Sequence, residues 1–265
     1  MNPPSKNFCF CTLALGKRYR LMAGELAQDL EKHSPGTTLV ICTDAPENFK
    51  SFSNVAPYKH VQRGIHRCYH DKRFAIEKAI AQFPIVILVD ADTRIVGDIP
   101  EDIDWQPGIT SGTTRGILIH GGNKDHQMRL ACIWDIAKKL GLSPEQVDWT
   151  EENFLVVTQD QGKELEFLEL WGKIGRYFEL NHIHSGSGNA IGLAAAAVGW
   201  RFQQVGWQDI NAVRQHFYAN TERQRATEVP SLSFVERLKR KLVYHSRLNR
   251  ARIVAALNDF RFYYR

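Results

Sequence analysis

The stretch PIVILVDADTRIVGDIP, Pro84–Pro100, joins an apolar run to two aspartates. The run from Ile85 to Val89 is apolar without polar alternation, which is typical of a strand buried on both faces of a parallel sheet. Asp90 and Asp92 follow where such a strand leaves the sheet. Because the carboxyl ends of strands form the ligand crevice of open α/β folds, these carboxylates are candidate site residues. A turn is the alternative interpretation, since aspartate is common in turns.

Strand-like and helix-like segments alternate on both sides of this stretch. The segments before it are the strand FCFCTLAL, the helix GKRYRLMAGELAQDLEKH, the strand TTLVICTD and the basic helix DKRFAIEKAIAQF. The segments after it are glycine-broken strands in PGITSGTTRGILIHGGN, the helix HQMRLACIWDIAKKLGL, the strand NFLVVT, the helix QGKELEFLELWGKIGRYF and an alanine-rich helix after HIHSGSGN. This alternation predicts one doubly wound α/β domain with a mostly parallel sheet and right-handed crossovers.

The composition is that of an ordinary soluble globular protein, with 265 residues, 43% hydrophobic and 24% charged. No stretch approaches the roughly 20 uninterrupted apolar residues of a membrane span, and the N-terminus lacks the apolar core of a secretory signal. We therefore expect a cytoplasmic protein. Its five cysteines lie in apolar contexts and lack the spacing of a zinc site, so we expect reduced core thiols.

The net charge of +5 is distributed unevenly along the chain. From Arg214 onward there are 12 Lys and Arg against 4 Asp and Glu, whereas the preceding residues carry 22 basic and 25 acidic side chains. The region that contains the two aspartates is therefore net acidic, which disfavours nucleic-acid binding. The sequence predicts a domain over residues 1–220 and a basic helical extension over residues 221–265.

The extension has the pattern of a basic amphipathic helix. Phe234, Val235, Leu238 and Leu242 fall on one helical face, with lysines and arginines beside them. Such a helix suits the surface of an anionic membrane, which would place the protein peripherally on the inner face of that membrane. The alternative is a helix packed on its own domain with a solvated basic face.

Two carboxylates spaced i,i+2 at a strand end suit a hard divalent cation. Mg²⁺ and Mn²⁺ take oxygen ligands, usually one or two carboxylates together with phosphate oxygens and water. A cation held in this way neutralises a diphosphate and makes a nucleoside diphosphate a good leaving group. The motif therefore predicts phosphate-linked chemistry that depends on Mn²⁺ or Mg²⁺.

The segment ILVDADTRIVGDI, preceded by DKRFAIEKAIAQFP, resembles the D-x-D region of GT-A fold glycosyltransferases. The resemblance extends over residues 8–216, with the specific signal in the motif region. It implies a GT-A-like, Rossmann-like fold and the transfer of a hexose from a nucleotide sugar, expected to be UDP-linked. The acceptor implied is a saccharide or a lipid-linked saccharide.

The resemblance also implies roles for individual residues. Asp92 would ligate the metal, Asp90 would contact the donor and help to position the metal, and Ala91 would lie between them on the donor side. The side chains expected on the nucleotide and nucleotide-sugar side are Thr12, Ala14, Leu15, Lys72 and Arg73. For Lys72 and Arg73, a solvated helix end is the alternative.

A third metal ligand and the acceptor side complete the predicted site. His216 would be the third ligand, with His182 and His184 as alternatives. The loop HSGSGNAIG and Asn153 would lie toward the acceptor. Glu151, Glu152 and Asp209 are the candidate bases or stabilisers of the transition state, and the sequence leaves open whether the anomeric configuration is retained or inverted.

Parts of the sequence are compatible with two other function classes. A nucleotidyltransferase on a related α/β scaffold usually has a glycine-rich signature with a basic residue after the first strand, which Gly16, Lys17 and Arg18 supply only in part. A non-enzymatic nucleic-acid-binding protein would use the basic extension, but no recognised motif of that class is present.

Overall fold

A computed structural model describes residues 6–119, 126–217 and 233–265. Within these residues the strands are, in chain order, β1 (Phe8–Ala14), β2 (Leu39–Thr43), β3 (Val55–Lys59), β4 (Ile85–Val89), β5 (Thr93–Ile95), β6 (Gly108–Thr110), β7 (Thr114–Gly116), β8 (Asp148–Thr150), β9 (Phe154–Thr158) and β10 (Arg214–His216). The α-helices are α1 (Lys17–His33), α2 (Lys72–Ile80), α3 (His126–Leu140), α4 (Lys163–Leu180), α5 (Gly188–Ala197), α6 (Trp207–Val213) and α7 (Phe234–Tyr264).

The fold is mixed α/β and is built on a mostly parallel sheet of six strands in the order β3-β2-β1-β4-β9-β6. The first four strands are parallel to one another, whereas β9 is antiparallel to β4 and β6 is antiparallel to β9. The mostly parallel sheet is confirmed. The edge strand β3 was not predicted, because its sequence VAPYK contains a proline and has no continuous apolar run.

The strand β4 lies inside the sheet and is buried along its whole length. Val86 and Leu88 point into the core formed with α2, α4 and α5, while Ile85, Ile87 and Val89 point into the core formed with α1. The uninterrupted apolar run of β4 thus reflects two covered faces, as the sequence indicated. Asp90 is the first residue beyond this buried segment.

The direction of β9 decides what lies beside Asp90. Val89 pairs with Phe154, and the N–H of Asp90 donates to the carbonyl of Asn153 at 3.1 Å. Since β9 runs antiparallel to β4, its beginning adjoins the end of β4. The residues 151–153 are therefore brought to the same sheet edge as the two aspartates.

Small residues let α5 pack closely on β8. A Cβ atom at Gly188 would lie 1.9 Å from the carbonyl oxygen of Thr150, and one at Gly192 would lie 1.9 Å from that of Asp148. Both distances are far inside van der Waals contact, so only glycine fits at these two positions. The close approach fixes the loop that precedes α5 against the residues that precede β9.

The C-terminal helix α7 packs on the domain through part of its length. Leu248 and Ala251 are buried against Ile65, and Lys173 pairs with Asp259 at 2.5 Å. Asp259 is also the point at which the helix is kinked. The predicted domain boundary at residues 220 and 221 lies outside the described residues. Among the helices that the structure describes, none has the length and apolar character needed to span a membrane.

The glycine packing of α5 can be tested by substitution. Gly192→Ala is expected to lower the free energy of unfolding by about 1–3 kcal/mol, because the added methyl group overlaps the β8 backbone. Gly24→Ala, inside α1, is the matched control: its Cβ would lie 3.4 Å from the Phe52 ring, and alanine favours helix by up to about 1 kcal/mol. Urea denaturation measures both. An equal effect of the two substitutions would contradict the close contact.

Candidate active site

A cavity of about 580 Å³ opens at the sheet edge where β1 and β4 end. The lining comes from the ends of β1 and β4, from α1, α3, α5, β8 and β10, from the start of α2 with the residues before it, and from the segments that precede β9 and α5. The lining residues are Leu13, Leu15, Tyr19, Arg67, Cys68, Tyr69, Lys72, Asp90, Ala91, Asp92, Arg129, Trp149, Glu151, Glu152, Asn153, Gly186, Asn189 and His216. The cavity thus contains both motif aspartates and several groups that are distant from them in sequence.

Asp90, Asp92 and His216 form a group in which one ligand atom from each residue lies within 4.8 Å of the others. The chain turns after β4, with the N–H of Thr93 donating to the carbonyl of Asp90 at 3.0 Å. The short strand β5 then pairs antiparallel with β10, where His216 is opposite Thr93. This pairing carries the imidazole to the carboxylates, with His216 Nδ1 at 3.8 Å from Asp92 Oδ1. Two carboxylates and an imidazole are a donor set that could hold a divalent metal ion.

His182 and His184, the alternative third ligands, lie elsewhere. Both contact the hydroxyl of Tyr244 on α7, His182 Nδ1 at 3.3 Å and His184 Nε2 at 3.4 Å. Burial, together with the neighbouring His66 and His182, lowers the pKa of His184 to about 4. These histidines connect the loop before α5 to the C-terminal helix.

Lys72 is buried at the centre of the cavity wall. Its Nζ forms an ion pair with Asp90 Oδ1 and donates to the carbonyl of Glu152 at 3.1 Å. Burial alone would lower the pKa of Lys72, but the carboxylates of Asp90 and Glu152 outweigh this effect and raise it. The ammonium group therefore stays charged. A solvated helix end, the alternative for this residue, is wrong.

Arg73 faces away from this cavity. Its guanidinium carbon lies 3.9 Å from the centre of the Phe74 ring, and the residue lines a second, larger cavity of about 1020 Å³ between α4 and α7. Neighbouring residues of a helix point about 100° apart, so Lys72 and Arg73 cannot share one direction. The expectation that Arg73 faces the nucleotide-sugar side is not met.

At the end of β1, alternate side chains point in opposite directions. Leu13 and Leu15 line the cavity together with Tyr19, whereas Thr12 and Ala14 are fully buried on the other face of the strand. Of the three predicted residues, Leu15 is thus at the cavity and Thr12 and Ala14 are not. Leu13 was missed because the sequence gives the alternation of β1 but not which face meets the ligand.

The turn after β1 does not form an open phosphate cradle. The N–H of Gly16 donates to Asp44 Oδ1 at 3.1 Å, and Arg20 pairs with the same oxygen at 2.7 Å. Gly16, the glycine of the partial nucleotidyltransferase signature, thus donates to Asp44, and this turn gives no support to that function.

Glu152 is held between Lys72 and the start of α5. Its Oε2 accepts from the N–H of Gly188 at 3.2 Å. Burial raises the pKa of Glu152, and the charge of Lys72 opposes that rise without cancelling it. The carboxylate therefore takes up a proton more readily than an exposed glutamate does.

The remaining predicted acceptor-side residues are divided. Asn153 and Glu151 line the cavity and are joined by a 2.7 Å hydrogen bond from Asn153 Nδ2 to Glu151 Oε1. Asp209 is exposed on α6 and does not belong to the lining. Its predicted role has no geometric support, because α6 turns this side chain toward solvent while Trp207 and Ile210 face the core.

Arg129 is a cavity residue that sequence reasoning missed. It lies on α3, is 6% exposed, and its Nη2 donates to Ser185 Oγ at 2.8 Å. The signal for it was available: Arg129 precedes Cys132, Ile133 and Ile136 by three, four and seven residues and so falls on the buried face of the helix. An arginine in that position is unusual unless it has a polar partner.

Comparisons with known proteins give little beyond this geometry. No protein-family model matches the chain. No curated protein matches it in sequence. A solved structure that it resembles is the apo form of the bifunctional glycosyltransferase WbbM, with 13% identity, a TM-score of 0.47, and coverage of 77% of this chain and 40% of that chain. The chain thus spans less than half the length of that protein, and similarity this distant does not carry an activity from one protein to another.

Proposed function

We propose that this protein is a glycosyltransferase that moves a hexose from a UDP-linked sugar to a saccharide or lipid-linked acceptor. The observation that carries the proposal is the group of Asp90, Asp92 and His216 at the carboxyl edge of the sheet, in one cavity with Lys72 and Glu152. Ligands of open α/β sheets bind at this edge. The polar groups there are of the kinds that a diphosphate and a reacting hydroxyl require.

The three-residue group fits a divalent cation, and its imidazole favours Mn²⁺ over Mg²⁺. Asp92 and His216 would hold the ion, with Asp90 shared between the ion and Lys72. When bound, the ion would neutralise the donor diphosphate and stabilise the charge of the departing nucleoside diphosphate. Leu13, Leu15 and Tyr19 supply an apolar wall on which the nucleoside could rest.

We assign the acceptance of the proton to Glu152. In a single displacement, the acceptor hydroxyl gives its proton to this carboxylate while its oxygen bonds to the anomeric carbon. The bond from that carbon to the diphosphate oxygen breaks, and its electron pair leaves with the diphosphate. Burial of Glu152 and its raised pKa support the role of general base, because a more basic carboxylate accepts a proton more readily.

Binding of UDP tests the donor site directly. The wild-type protein is expected to bind UDP by calorimetry when Mn²⁺ is present and to lose this binding when the metal is chelated. Asp92→Ala should weaken UDP binding at least about tenfold, because it removes a metal ligand. Asp102→Ala, at an exposed aspartate, is the control. Unchanged affinity in Asp92→Ala and with chelator would overturn the metal-dependent donor site.

The pH profile of UDP release tests Glu152. The wild-type rate should fall as pH drops through the pKa of Glu152, which burial places above that of an ordinary glutamate. Glu152→Gln should lower kcat by about 10²-fold or more and lack this acid limb, since the amide cannot accept the proton. The exposed Glu145→Gln is the control. If Glu151→Gln lost the rate and Glu152→Gln kept it, the assignment would be wrong.

A peripheral membrane contact through α7 is a further part of the proposal. Val235, Leu238, Leu242, Ile253 and Leu257 are 47–80% exposed and recur at spacings of 3, 4, 11 and 4 residues, which keeps them on one face of the helix. The packed residues Leu248, Ala251 and Ala255 lie on a different face. Lysines and arginines beside the exposed stripe add attraction to anionic lipid, about 1 kcal/mol for each one near the surface.

Co-sedimentation with vesicles tests this contact. The full chain should bind vesicles that contain phosphatidylglycerol and not vesicles of phosphatidylcholine alone. Leu238→Ser with Leu242→Ser should reduce the bound fraction through lost apolar burial, and Lys239→Gln with Lys241→Gln should reduce it through lost charge. Asn249→Ser, an exposed polar position on the same helix, is the control. Equal binding by all variants would show that α7 does not mediate the contact.

A further inference from the structure

A buried guanidinium group at one end of the cavity has no carboxylate partner among the described residues. Arg129 is 6% exposed. No Asp or Glu side chain among residues 6–119, 126–217 and 233–265 forms an ion pair with it. Its Nη2 donates to the neutral Ser185, and its Nε has no hydrogen-bond partner in that part of the chain. A buried charge is costly unless an opposite charge or several hydrogen bonds compensate it.

The position of Arg129 separates it from the proposed metal group. Contacts lead from Asp90 to Lys72, from Lys72 to the carbonyl of Glu152, and from the Glu152 carboxylate to Gly188. A Cβ at Gly186 would lie 3.8 Å from Glu152 Oε1 and 4.0 Å from Arg129 Nη1. Arg129 thus adjoins the Glu152 end of the cavity, whereas the donor diphosphate is proposed to lie at the Asp92 end.

Asn189 is a second buried polar residue of this cavity, and it directly follows Gly188, whose N–H donates to Glu152. Asn189 is 4% exposed. Its Oδ1 accepts no hydrogen bond from the described residues. A buried carbonyl oxygen of this kind is satisfied by a hydroxyl donor. A ligand that carries both an anionic group and hydroxyl groups would therefore meet the requirements of Arg129 and Asn189 together.

We propose that Arg129, Ser185 and Asn189 form a subsite for an acidic saccharide, with its carboxylate or phosphate on Arg129 and a hydroxyl on Asn189 Oδ1. This inference rests on the proposed glycosyl transfer and deepens it, since the sugar at the Glu152 end is either the transferred hexose or the acceptor. Arg129 acts here as a specificity residue. Arginine suits the role because its planar donors match a carboxylate or phosphate in two hydrogen bonds.

Matched neutral and acidic substrates test the subsite in the full chain with Mn²⁺. The donor pair is UDP-glucose and UDP-glucuronate, and the acceptor set is methyl glucoside, methyl glucuronide and glucose 6-phosphate. Wild type is expected to release UDP with a kcat/KM at least about tenfold higher for an acidic member than for its neutral counterpart, the size of one charge-assisted interaction. A preference within the donor pair would show that Arg129 binds the transferred sugar, and a preference within the acceptor set would show that it binds the acceptor. Within the acceptor set, methyl glucuronide and glucose 6-phosphate distinguish a carboxylate from a phosphate.

Substitution then assigns the preference to the arginine. Arg129→Met should abolish the preference while Mn²⁺-dependent binding of UDP is kept, Arg129→Lys should retain part of it, and the exposed Arg201→Met should retain all of it. A thermal shift gives a readout without turnover, since methyl glucuronide should raise the Tm of wild type more than methyl glucoside does. If Arg129→Met does not fold, Ser185→Ala takes its place and should reduce this difference in Tm.

Several results would overturn the inference. One is an equal kcat/KM of wild type for the acidic and neutral members of every pair. Another is an equal loss of rate for all substrates in Arg129→Met, which is the behaviour of a purely structural residue. Failure of the proposed function has a different signature, because wild type would then bind no UDP with Mn²⁺ and release none from any donor; that result would overturn both.

Discussion

The buried ammonium group of Lys72 holds the candidate site together. It connects three elements, since it belongs to the first turn of α2, pairs with Asp90 after β4, and donates to the carbonyl of Glu152 before β9. A buried cation of this kind is stable only while its partners stay in place, and loss of one partner leaves an uncompensated charge. The positions of both carboxylate-bearing segments therefore depend on one side chain, and α2 is tied to the sheet edge as well as to its hydrophobic face.

The same ion pair makes the two motif aspartates different from each other. Asp90 pairs with the ammonium group of Lys72, whereas Asp92 lies beside the imidazole of His216, a side chain that can ligate metal. A divalent cation would accordingly find its main carboxylate at Asp92. The division of roles that the sequence suggested for these residues stays a prediction, and it now has an electrostatic reason.

The charged groups of the cavity are linked by successive contacts. Asp90 and Asp92 group with His216, Lys72 links Asp90 to Glu152, and Arg129 lies near Glu152 beside Gly186. This arrangement suits two substrates that carry separate charged groups, one near Asp92 and one near Arg129. It would separate the leaving diphosphate from the group that receives the sugar, which is what a transfer between two bound molecules requires.

The sequence was sufficient to predict the mostly parallel sheet, the two-sided burial of β4 and the placement of Asp90 and Asp92 at the sheet edge, because these follow from local apolar periodicity and strand length. It also pointed to Lys72 and Glu152, but it did not separate Lys72 from Arg73 and it named Thr12 instead of Leu13, since the face that meets a ligand depends on what covers the other face. The antiparallel direction of β9 relative to β4 and the return of β10 to pair with β5 are known from the tertiary structure alone. The physical reason is that strand direction and long-range pairing are set by the packing of the whole sheet, and neither leaves a local pattern in the chain.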